Sequence, residues 1–274
     1  LPQEVIMIEE ISSQENNNDN IELRYADTQA FISLDGACVT TFKIANKNIL
    51  YPDGIIKVDG QKNKRGGIPL LFPYSGFLEG FPQHGFARDL KWEEAPIDEL
   101  IPSKTSLKLQ DNPETRKIFP YNFELNLNIE LGENSLLYVL DILNKDNKNM
   151  PVAPGFHPYF MVPRGKLGDI QTNIDNFDFK NYRLEELKGS LFFPLKDLEV
   201  SIPGTGNLKM EYDGAFKKES SRLVIWTDKD NDKDDSYICL EPWATDLGGF
   251  LKKDQQLLVS PGQKASFSMR ITLS

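Results

Sequence analysis

Phe123-Glu124-Leu125-Asn126-Leu127-Asn128-Ile129-Glu130-Leu131 alternates apolar and polar residues without a break. Successive side chains of a strand point to opposite faces, so this period of two predicts a β-strand with one buried and one wet face. A helix would scatter the same apolar residues around its circumference. The pattern recurs near the C-terminus, where Phe267, Met269, Ile271 and Leu273 alternate with Ser266, Ser268, Arg270 and Thr272. Half-buried strands of this kind belong to antiparallel sheets.

Outward from these two segments, further strands are expected over Ile21–Tyr25, Ala30–Leu34, Val39–Ile44, Leu136–Leu143, Leu208–Tyr212, Leu223–Thr227 and Tyr237–Glu241. Turn-forming clusters separate them at Asn16 to Asn20, Pro52-Asp53-Gly54, Asn144 to Asn149 and Pro203-Gly204-Thr205-Gly206. No convincing helix exceeds about ten residues, and Arg183–Lys188 is read as a short helical turn. There is neither an internal repeat nor a dividing linker. The expectation is therefore all-β: one large antiparallel β-sandwich domain spanning residues 1–274, with two stacked domains as the alternative.

Lys64 to Trp92 breaks the alternation. It holds Gly66, Gly67, Gly76, Gly80 and Gly85, Pro69, Pro73 and Pro82, and five Phe or Tyr residues. Such a stretch cannot be one continuous strand. Long ordered loops carrying aromatic side chains commonly build binding sites on a rigid scaffold.

Composition narrows the function. Thirty-one Lys and Arg against 41 Asp and Glu leave a net charge of −10. An acidic chain is repelled by phosphate backbones and anionic lipids, so nucleic-acid and membrane partners are not expected. No apolar run reaches membrane-spanning length, and Leu1-Pro2-Gln3-Glu4 lacks the charged-then-apolar pattern of a signal peptide. A cytoplasmic enzyme is the expectation. Cys38 and Cys239 sit in apolar runs and read as reduced packing residues.

Only two histidines occur, His84 and His157, each among Gly, Pro and aromatic residues: Pro82-Gln83-His84-Gly85-Phe86-Ala87-Arg88 and Pro154-Gly155-Phe156-His157-Pro158-Tyr159-Phe160. Aromatic faces suit the C–H face of a pyranose, while His, Glu, Asp and Arg suit its hydroxyls. Glu241 closes the apolar run Tyr237-Ile238-Cys239-Leu240 and is followed by Pro242-Trp243. A carboxylate partly buried beside an indole has its pKa raised toward the range useful for a base.

Together these pieces resemble the aldose 1-epimerase (galactose mutarotase-like) family. The matching segments are Gly36-Ala37-Cys38-Val39-Thr40 with Ile49-Leu50-Tyr51; Arg65-Gly66-Gly67-Ile68-Pro69-Leu70-Leu71-Phe72-Pro73; His84-Gly85-Phe86-Ala87-Arg88 with Trp92; Gly155-Phe156-His157-Pro158-Tyr159-Phe160; Glu241-Pro242-Trp243; and Ser260-Pro261-Gly262. The resemblance implies a galactose mutarotase-like β-sandwich (supersandwich), able to act as a monomer, that interconverts the α and β anomers of an aldohexose or hexose 6-phosphate with no cofactor and no metal. It implies Glu241 as the base that takes the O1 proton, His157 as the acid that protonates the ring oxygen O5, and His84 as a substrate-binding partner of the ring oxygen. Opening a hemiacetal removes a proton at O1 and adds one at O5, which an acid and a base held on opposite sides of one sugar can do together.

Arg65 and Arg88 match anion-binding positions of the hexose-6-phosphate branch, and arginine suits bidentate phosphate binding. Two features depart from that branch. Pro242-Trp243 after Glu241 looks like the branch acting on free sugars, and Thr227 to Asp235 forms a charged loop where the phosphate branch carries Asn-Pro. The family's site aspartate is matched to Asp213.

Three other readings compete with this one. Asp228, Asp230 and Asp232 suggest a calcium loop, but its sixth and twelfth positions are Lys233 and Cys239 rather than Gly and Glu. His84, His157 and Glu241 could hold zinc or iron, yet no His-x-His core accompanies them. A non-catalytic sugar binder of the same fold needs no acid–base set.

Overall fold

The computed structural model describes residues 19–52, 54–58, 61–97, 101–181, 190–227 and 236–274. The helical turn read over Arg183–Lys188, the charged loop from Asp228 to Asp235 and the extreme N-terminus lie outside the described residues.

The stretch 123–131 forms an interior strand of an eight-stranded sheet. Its strands run Gln171–Thr172, Leu198–Ile202, Gly206–Gly214, Lys264–Leu273, Ser135–Asn144, Phe123–Gly132, Lys104–Gln110 and Glu93–Glu94 in spatial order. Phe123, Leu125, Leu127, Ile129 and Leu131 are all buried. Register aligns Leu127 with Leu140 and Phe267, and Ile129 with Tyr138 and Met269, in rows across three strands. A slip of one residue would turn every one of these side chains to solvent. Each buried side chain of this size contributes about 1.5–3 kcal/mol, so the register is strongly specified.

A second sheet orders Leu191–Pro194, Arg222–Trp226, Tyr237–Trp243, Gly155–Phe156 and Leu70–Leu71, with Tyr159–Met161 also paired to Tyr237–Trp243. It turns Leu70, Phe72, Phe156, Phe160, Leu223, Ile225, Ile238 and Leu240 into the same core as the first sheet. Phe156 meets Tyr138 across the two layers at 4.8 Å between ring centroids, edge to face. A four-stranded sheet, Asn20–Tyr25, Thr28–Ser33, Cys38–Ile44 and Lys47–Asn48, adds Ala30, Ile32, Val39 and Phe42 to that core. All named strand pairs are antiparallel, which gives the expected all-β sandwich.

The differences from the sequence expectation are local. Lys104–Gln110 and Leu198–Ile202 are strands beyond those expected; in the second the short run places Leu198, Val200 and Ile202 inward. The strand expected to stop at Glu241 continues through Pro242 to Trp243, since the fixed φ of proline is compatible with extended backbone. The described residues contain one α-helix, Pro113–Ile118, held by a capping box between Asn112 and Thr115 and by proline in its first turn. No helix among the described residues is long and apolar enough to cross a membrane.

Candidate functional site

The second face of the six-stranded sheet carries the site. Alternation along Tyr237–Trp243 sends Ile238 and Leu240 into the core and Tyr237, Cys239, Glu241 and Trp243 to the other side. The neighbouring strand does the same, so Val224 stands opposite Glu241 and Trp226 opposite Cys239. From the other flank, Tyr159 pairs with Cys239. This face is nevertheless closed over: Glu241 is 2% and His157 5% exposed.

His157 is placed by its own backbone N–H, which donates to Pro69 O at 3.0 Å. Its ring stacks on Tyr159 at 4.7 Å, with 8° between planes, and meets the edge of Trp226 at 5.6 Å. Nε2 lies 3.4 Å from Glu241 Oε1. The other oxygen, Oε2, accepts a hydrogen bond from Trp243 Nε1 at 2.9 Å. His157, between the strands Gly155–Phe156 and Tyr159–Met161, and Glu241, within Tyr237–Trp243, therefore stand side by side.

The Gly/Pro-rich loop brings in His84. Gly76 and His84 clasp each other twice: His84 N–H donates to Gly76 O at 2.8 Å, and Gly76 N–H donates to His84 Nδ1 at 3.0 Å. A neutral imidazole whose Nδ1 accepts must carry its proton on Nε2, so His84 is set as an Nε2–H donor. The clasp depends on Gly85. Its φ is +73°, and a Cβ there would lie 2.0 Å from Phe72 O. The His84 ring packs edge-on to His157 at 5.5 Å and to Trp243 at 5.9 Å.

Burial sets the charge states. Removing Glu241 from water disfavours its carboxylate and pushes its pKa up to about 8, against smaller opposing effects of the Trp243 hydrogen bond and the Arg88 charge. Burial also pushes His84 down to about 3, helped by Arg88 and Arg65. It holds His157 well below the ordinary histidine range, with further lowering from His84, Arg88 and Arg65.

The arginines flank this group. The Arg65 guanidinium lies over Trp226, 5.6 Å from the ring centroid, a cation–π arrangement. Arg88, in the short 3-10 turn Ala87–Asp89, donates from Nη2 to Gln83 O at 3.0 Å and keeps its side chain 30% exposed. Trp92, quoted beside this motif, is buried and donates to Ala87 O, shaping the turn rather than the site.

Asp213 is not brought to this group. It is exposed on the solvent side of the eight-stranded sheet, where it pairs with Lys217 at 3.0 Å and accepts from the Gly214 N–H. Its neighbour Tyr212 takes the core side, and alternation turns Asp213 away.

Cys38 and Cys239 are buried thiols. Among the described residues, the donor atoms within 4.8 Å of one another belong to His157, Cys239 and Glu241. Cys239 and Trp226 had not been read as site residues. The signal was present in the period of two that aligns Tyr237, Cys239, Glu241 and Trp243 on one face.

The family model described as aldose 1-epimerase matches residues 19–232. A Cenchrus ciliaris protein named "Putative glucose-6-phosphate 1-epimerase" is 30% identical over 170 residues, covering 58% of this chain and 50% of that protein. The chain thus spans about half the length of the curated relatives it matches. Among solved structures, a protein from Synechocystis sp. PCC 6803 is similar at a TM-score of 0.75 and 26% identity, over 92% of this chain and 94% of that one. A galactose mutarotase related enzyme from Lactobacillus acidophilus has the same fold at a TM-score of 0.75 and 21% identity, over 93% and 97% of the two chains.

Proposed function

The chain belongs to the aldose 1-epimerase family, and from that premise we propose that it interconverts the α and β anomers of an aldohexose or hexose 6-phosphate through Glu241 and His157. The observation that carries this reading is the buried contact of 3.4 Å between His157 Nε2 and Glu241 Oε1.

The contact suits the chemistry. O1 and O5 are both bonded to C1 of the sugar, so the two proton transfers of ring opening occur side by side. Glu241 takes the proton of the O1 hydroxyl while His157 delivers one to O5. The C1–O5 bond breaks and C1=O1 forms. Rotation about C1–C2 turns the other face of the aldehyde to O5, and the two groups exchange roles to reclose the ring. The protons taken and given balance, so no cofactor is consumed. Burial disfavours the separated charges, so the resting pair is a carboxylic acid beside a neutral imidazole, holding one proton between them. Sugar hydroxyls entering the site supply the polar contacts that make the ionised arrangement accessible. His84, set as an Nε2–H donor, faces the same group and assists charge developing at O5. Arg65 and Arg88 supply the positive field that a 6-phosphate would meet. One contiguous core running through residues 23–271 supports treating 1–274 as one domain.

The test is the relaxation of freshly dissolved α-glucose, α-galactose and α-glucose 6-phosphate, followed by polarimetry or NMR with a chelator present. The expected result is faster relaxation with protein for at least one sugar, and a loss of roughly 10²–10⁴-fold in Glu241→Gln. If no sugar relaxes faster than in buffer, the proposal fails and a binding role replaces it; if Glu241→Gln keeps its rate, Glu241 is not the base.

A further inference from the structure

The Glu-Pro-Trp piece has a role in the site that its resemblance to one substrate branch does not explain. We propose that Trp243 is a positioning residue for Glu241: it holds Oε2 so that Oε1 is the oxygen that exchanges protons with His157 and the sugar. The inference rests on the reading of Glu241 as base.

The geometry divides the two carboxylate oxygens. Oε2 accepts from Trp243 Nε1 at 2.9 Å, while Oε1 faces His157 Nε2 at 3.4 Å. Spacing i, i+2 on an extended strand puts the carboxylate and the indole on one face. An indole N–H only donates. It therefore favours Oε2 as an acceptor in both ionisation states and leaves the proton of the neutral acid to Oε1, beside the imidazole.

The indole itself is immobilised. His84 meets its edge at 5.9 Å and Phe192 at 5.6 Å, and Leu71 and Val224 pack against it. Two glycines make the room: a Cβ at Gly155 would lie 3.0 Å from Trp243 Cδ1, and one at Gly76 would lie 3.1 Å from Cζ3. Rotation of the carboxylate is thus resisted by a donor that cannot follow it. A free carboxylate would spread the reactive lone pairs over several orientations, and positioning of this kind acts on rate more than on binding.

The experiment replaces Trp243 with Phe and, separately, with 3-benzothienylalanine, which keeps the bicyclic shape and lacks the N–H. The expected result in both is a fall in kcat of roughly 10–100-fold, the scale of one hydrogen bond to a charged group, with KM changed less than about threefold. The alkaline limb of the pH profile moves up, and so does the Glu241 carboxyl titration read by 13C NMR, because the charged form has lost a donor. Unchanged kcat and titration in the benzothienyl variant overturn the proposal. A rise in KM with no movement of the titration also overturns it, since that pattern marks Trp243 as pocket wall alone. Glu241→Gln measured in parallel separates the two ideas: full activity there removes the base, while the NMR titration still decides whether Trp243 governs the carboxylate.

Discussion

Nε2 of His157 lies 3.4 Å from Oε1 of Glu241, between two side chains that are almost wholly buried. Two groups this close titrate as a pair, and their apparent pKa values belong to the pair. The proposed reaction needs the pair to hold one proton. Glu241 is pushed up to about 8 and His157 well below its usual value of 6.5. Activity is expected to form a plateau through neutrality, to fall as pH rises past about 8, and to fall on the acid side only well below the ordinary histidine range. A pH series of kcat/KM checks this; an alkaline limb in the ordinary carboxylate range contradicts it.

The same shift links Glu241 to stability. Unfolded, its carboxyl ionises near 4.5; folded, near 8. Between those values the folded chain holds a proton that the unfolded chain has lost, so this group's contribution to stability falls as pH rises through the window. Glutamine does not titrate. Glu241→Gln is therefore expected to raise Tm more at about pH 9 than at about pH 5, as measured by calorimetry at matched ionic strength. Equal changes at both pH values would show that Glu241 ionises normally in the fold.

Substitutions at Arg65 and Arg88 test a phosphosugar against a free sugar. If they hold phosphate, Arg65→Ala and Arg88→Ala each raise KM for glucose 6-phosphate by about tenfold or more, the effect of one lost charge-assisted contact, and leave KM for glucose nearly unchanged. Parallel effects on both sugars would assign the arginines to the loop or to the field around Glu241. Arg88→Ala carries a second signature. Its charge lowers the Glu241 pKa, so its removal shifts the alkaline limb upward.

Gly85 controls the placement of His84. An alanine there has an unfavourable positive φ and a Cβ 2.0 Å from Phe72 O. Gly85→Ala is expected to cost about 2 kcal/mol or more and to weaken sugar binding, because the Gly76–His84 clasp sits on this turn. Denaturant unfolding together with KM measures both. A variant with native stability and native KM would show that the turn tolerates a side chain.

Much of the fold was legible because strand alternation is a local property. Phe123 to Leu131 announced its buried face in nine consecutive residues, and the turn residues Pro203 to Gly206 marked a hairpin that the structure contains between Leu198–Ile202 and Gly206–Gly214. Leu198–Ile202 itself was less visible, since Glu199 and Ser201 separate only three apolar residues and the sheet supplies the rest of its support. At the site, His84, His157 and Glu241 stood out through rare residue types in turn-rich aromatic surroundings, and His157 meets each of the other two. Asp213 was chosen for its type and lies elsewhere, because its strand belongs to the other sheet and its side chain to the wet face.

The sequence by itself determined that this chain forms antiparallel strands, which side of each strand is apolar, and which few side chains are candidates for acid–base chemistry. Those are consequences of backbone geometry and side-chain type, and they act within a few residues. Only the tertiary structure decided that Glu241 and His157 touch, that Trp243 holds the second carboxylate oxygen, and that burial favours the neutral form of both groups. Each of these depends on how separate strands stack and exclude water, and desolvation is a property of the assembled site that no single segment possesses.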